Sequence, residues 1–91
     1  MTSYRNRLPD MRALEELEHV AKEFRVAEDA MKYDGAIGRK GGGRTISVAR
    51  GTYFHRMWSM EVAPMLVAAA IGCACRTVRY WYAEFNRSKA A

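Results

Sequence analysis

No apolar run in the chain approaches the roughly 18 residues that a membrane-spanning helix needs, so no transmembrane segment is predicted. The opening stretch, MTSYRNRLPD, has no apolar core of the kind a secretory signal carries, so none is expected. Cysteine is scarce. Cys73 and Cys75 stand one residue apart, too close to staple a fold, which points to a reducing cytoplasm as the compartment. No stretch alternates apolar and polar residues between turn signals, so strands are not predicted. A P-loop ATPase, which needs a sheet, is thereby excluded. At 91 residues, a large multi-domain enzyme is not expected.

What remains is a globular composition, 49% hydrophobic and 27% charged, and enough chain for one core. The net charge of +5 is unevenly spread. Residues 10–34 hold eight acids and four bases, whereas residues 35–91 hold nine bases and two acids. A basic C-terminal portion suits a polyanion such as nucleic acid, and an acidic N-terminal portion suits a protein partner.

The expected fold is all-α. Asp10 is placed to cap a helix that then carries Ala13, Leu17, Val20, Phe24, Ala27 and Met31 at spacings of three and four. This heptad-like stripe predicts one long amphipathic helix to residue 33, ended by Asp34-Gly35, within an N-terminal unit 1–34. Residues 35–46 are glycine-rich and basic and read as a linker. Helices are then expected over 47–61, from about Ala63 to Ile71 with Pro64 in the first turn, and from Cys75 to Asn86. Gly72 breaks the last two apart. A short C-terminal unit, 47–91, looks too small to cover the whole N-terminal stripe. A homodimer through the 10–33 helix is therefore expected.

Residues 64–83, PMLVAAAIGCACRTVRYWYA, carry the most informative pattern. Val67, Ile71, Val78 and Trp81 supply apolar positions, Ala68 is small, and Gly72 sits where a turn needs positive φ. These six positions resemble the twenty-residue helix-turn-helix of DNA-binding proteins. The string GCACRTVRYWYAEF is also similar to recognition helices of resolvase-like and transposase-like homeodomain relatives. Ala74 departs from the pattern, because such sequences often place a Ser cap there. In layout the chain resembles small phage or bacterial transcription regulators, and phage antiterminators of the Q type.

That resemblance implies double-stranded DNA as the partner, read in the major groove by the helix at about 75–86, with no cofactor. The residues themselves agree. Val78, Trp81 and Phe85 form a stripe at helical spacing, leaving Arg76, Thr77, Arg79, Tyr80 and Ala83 to project away from it. An arginine fork matches guanine O6 and N7, and a threonine can meet a thymine methyl or a phosphate. Arg87 is expected near the phosphates. Arg44, Arg50 and Arg56 are further candidates for phosphate contact.

The competing reading is a protein-interaction module. In it the acidic helix binds RNA polymerase or a host factor, as an antitermination factor would, and the last helices are structural. Exposed arginines at 76 and 79 favour DNA; arginines tied to Glu61 or Glu84 favour the alternative. Two other patterns are set aside. Gly38–Thr45 approaches a phosphate-binding loop but follows a helix rather than a strand. Cys73 and Cys75 with His19 and His55 lack zinc-site spacing, and no nucleophile–base pair can be assembled, so neither a metal site nor an enzyme is expected.

Overall fold

The Asp10 carboxylate accepts the backbone N–H of Arg12 at 2.8 Å and starts α1 (Met11–Phe24) as its N-cap. The computed structural model describes residues 10–33 and 43–90. Four more helices follow among those residues: α2 (Glu28–Met31), α3 (Gly43–Ser59), α4 (Pro64–Ile71) and α5 (Cys75–Ala90). No strand occurs among the described residues, so the all-α expectation holds.

The single long helix to residue 33 does not form. Arg25 adopts the left-handed conformation at φ 57° and ends α1, while its N–H and that of Val26 return to Lys22 O and Ala21 O. This is the double hydrogen-bond closure of a Schellman motif, with half-buried Val26 folded back beside Ala21. The chain then restarts at Ala27, where Glu28 and Asp29 supply first-turn negative charge to the short α2. The expected stop at Asp34-Gly35 and most of the glycine-rich linker lie outside the described residues. The linker's last expected residues, 43–46, are already the first turn of α3.

A left-handed residue closes two further helices, with the same bond pattern at Glu61 and a variant of it at Gly72. Glu61, at φ 59°, ends the turn after α3, with Val62 N–H bonded to Met57 O. Gly72, at φ 74°, ends α4, with its own N–H and that of Cys73 both reaching Ala68 O. Val62 is buried and Cys73 half-buried, so each left-handed residue is followed by a side chain turned into the core.

The apolar stripe of the N-terminal portion is covered within the chain. Ala13, Leu17, Val20 and Met31 are fully buried in one cluster with Tyr53, Phe54 and Met57 of α3, Val67 and Ile71 of α4, and Val78 of α5. Helix α1 packs on both α3 and α4, and α5 packs on the same two helices. The reason for expecting a homodimer through 10–33 is therefore gone: the seam forms part of this chain's own core. Ala27, the sole stripe residue left exposed, lies in the break between α1 and α2.

Polar ties lock this arrangement. The buried Tyr53 hydroxyl donates to Ala13 O at 3.0 Å, joining α3 to the start of α1, and its burial raises its pKa. The half-buried Tyr82 hydroxyl donates to Val62 O at 2.7 Å, and burial pushes its pKa up to about 12. Tyr33 N–H reaches Ile71 O at 2.9 Å, closing the end of α4 from the segment after α2.

Candidate nucleic-acid interface

Helices α4 and α5 pack on each other across the three residues Gly72, Cys73 and Ala74. Pro64 begins α4, where its missing N–H removes nothing from the helix ladder, and Gly72 supplies the sharp exit. The first turn of α5 thus emerges directly from a backbone turn that is pinned by two hydrogen bonds to Ala68 O.

Helix α5 has two faces. Val78 is fully buried, and Trp81, Tyr82 and Phe85 pack half-buried against the core. Trp81 stacks on Phe54, with centroids 5.7 Å apart and planes inclined by 24°, and it also meets Phe85. On the opposite face lie Arg76, Arg79, Tyr80, Ala83 and Arg87, all exposed. At the helical repeat these five fall within an arc of about 100°. Thr77 lies at the edge of that face and is only half-exposed.

The arginines differ in what they touch. Arg76 and Arg79 have no ion-pair or side-chain hydrogen-bond partner among the described residues. Glu84 instead binds Arg87 at 3.1 Å, one turn along the same helix. Tyr80 stands 61% exposed, edge-on to Trp81, which gives an aromatic ring at the surface a fixed neighbour on one side.

Two expected phosphate contacts are corrected. The Arg50 guanidinium donates to Met31 O at 2.8 Å and to Ala30 O and Lys32 O at 3.4 Å, and lies 3.9 Å above the Tyr33 ring. It satisfies the carbonyls at the end of α2, so its donors are committed. Arg56 bridges Glu16 at 2.9 Å and Glu23 at 2.6 Å, clamping α3 to α1; the Glu16 bond is the first cause of its raised pKa. Arg44 remains exposed in the first turn of α3. Both corrected arginines lie on a core-facing side of α3, with partners far away in sequence.

Cys73 and Cys75 are free thiols, and burial, reinforced by Cys75, pushes Cys73 up to about 11, away from a reactive thiolate. No group of three metal-ligating side chains occurs among the described residues. A feature missed in the sequence is an open groove of about 390 Å³ between the C-terminal turns of α3 and α5. Trp58 Nε1 donates there to Asn86 Oδ1 at 3.0 Å, beside Lys89 and Glu61. Comparison with protein-family models, with curated proteins and with solved structures finds no match to this chain.

Proposed function

We propose that this chain is a sequence-specific DNA-binding regulator of transcription or recombination that presents α5 to the major groove. The observation that carries the reading is the pair Arg76 and Arg79. They stand a turn apart on the exposed face of α5 and are uncommitted among the described residues, whereas Arg50, Arg56 and Arg87 are held by carbonyls or carboxylates. A helix backed by a rigid aromatic stack and facing outward with unpaired guanidinium groups suits a polyanion with ordered acceptors. The turn at Gly72 adds support, because it gives α5 a fixed exit from α4.

The test selects a preferred duplex from a random-sequence pool and follows its electrophoretic retardation at several salt concentrations. With Arg76 and Arg79 turned to the bases, Arg44, Arg87 and Lys89 are the exposed basic groups of α3 and α5 that remain for the backbone. With about three to four phosphates neutralised, the log–log slope of affinity against salt is expected near −3 to −4. The double variant Arg76→Ala/Arg79→Ala should lose retardation while melting like the parent chain. No retardation at low salt, or equal retardation by the double variant, overturns the reading.

A further inference from the structure

Resting on that reading of α5, the geometry points to the base chemistry of the site: we infer that Arg76 and Arg79 each take a guanine and that Ala83 meets a thymine methyl. The inference starts from what α5 has available. Among its exposed-face residues, Arg87 is drawn to Glu84, so the free polar reach is confined to the first two turns. Within them the only free charged side chains among the described residues are Arg76 and Arg79, and no exposed carboxylate or carboxamide stands between them.

Side-chain chemistry then selects the base. A guanidinium is donor-only, and guanine alone offers two acceptors, O6 and N7, side by side in the major groove. Adenine would need a side chain that donates and accepts, such as Asn or Gln. The one carboxamide on α5, Asn86, is held by Trp58 Nε1. Cytosine would need an acceptor such as Glu; Glu84 lies beside Arg87. The face therefore favours guanine: besides the two arginines it offers only the hydroxyls of Tyr80 and Thr77, and no free carboxamide or carboxylate, among the described residues.

Spacing fixes the arrangement. Arg76 and Arg79 are separated by about 4.5 Å along the helix axis, so their guanines fall on adjacent or once-removed base pairs. Ala83 lies about 10 Å beyond Arg76, near three base pairs away, and shows only a methyl group, the partner suited to the thymine C5-methyl. Tyr80 lies on the same face between them in sequence, its ring edge-on to Trp81.

The experiment selects bound duplexes from a random pool with the full chain. It then replaces single guanines in the selected sequence by 7-deazaguanine, which lacks N7, and thymines by uracil, which lacks the methyl. Expected is a site with two guanines within two base pairs and a thymine nearby. About tenfold loss is expected for each critical 7-deazaguanine and a smaller loss for uracil. Arg79→Ala should abolish the effect at one guanine and leave the other. Selected sequences without guanine enrichment, or indifference to 7-deazaguanine, overturn the inference while leaving DNA binding in place. Failure to bind any duplex overturns both.

Discussion

Trp81 stacks on Phe54 at 5.7 Å, and through this contact the exposed face of α5 is held in register on α3. Trp81 also meets Phe85, and its neighbour Tyr80 stands edge-on to it from the surface side. One indole therefore supports the core and backs the outward face. Trp81→Ala is expected to cost about 3 kcal/mol, the lower end for a core tryptophan, since its ring is only partly covered. Urea denaturation followed by circular dichroism measures this. Trp81→Phe, which keeps an aromatic ring against Phe54, should recover more than half of the loss.

Arg50 and Arg76 should separate folding from binding. Arg50→Ala removes a charged donor from three carbonyls and leaves the end of α2 open. It should cost about 2 kcal/mol of stability, and at temperatures where the variant is folded its affinity for duplex should match the parent. Arg76→Ala should leave the melting curve unchanged and lower affinity about tenfold. A Arg50→Ala variant that melts like the parent but binds poorly would place Arg50 in the interface.

The parts of the fold that were legible in the sequence are those where one residue constrains its own backbone. Asp10 caps α1, Pro64 opens α4 and Gly72 ends it, and each acts through local chemistry. The break at Arg25 was not legible, because the apolar spacing runs on through Ala27 and Met31 and the left-handed residue is not a glycine. The available clue was the acidic pair Glu28-Asp29, which suits the start of a helix rather than its middle. In the site, the exposed face of α5 followed from periodicity alone. The engagement of Arg56 by Glu16 did not, since the two are 40 residues apart and meet only when α1 lies on α3.

Alkaline pH should unfold the chain earlier than its composition suggests. The Tyr82 hydroxyl is an acid whose folded pKa, about 12, lies above its ordinary value of 10.0, because burial disfavours the phenolate. Burial moves Tyr53 in the same direction. A raised acid keeps its proton more firmly when folded, so its contribution is fully present below about pH 10 and is lost as pH rises toward 12. Chemical stability measured from pH 8 to 11 should be flat and then fall above pH 10. Tyr82→Phe should reduce the slope of the fall, at the cost of the bond to Val62 O.

Two glycines should respond to alanine in opposite directions. Gly72 sits at φ 74°, where a Cβ crowds the following carbonyl, and Gly72→Ala should cost about 1–2 kcal/mol. It also tilts the turn that aims α5, so affinity for duplex should fall with it. Gly51 lies inside α3 with helical neighbours on both sides. A Cβ there would meet Trp81 Cη2 at 3.9 Å, an ordinary contact that adds to the aromatic stack. Gly51→Ala should therefore stabilise the chain by up to about 1 kcal/mol, through helix propensity and a less free unfolded state. Thermal melts of the two single variants and the double variant check both signs. A destabilised Gly51→Ala would mean that α3 and α5 approach more closely than the 3.9 Å contact allows.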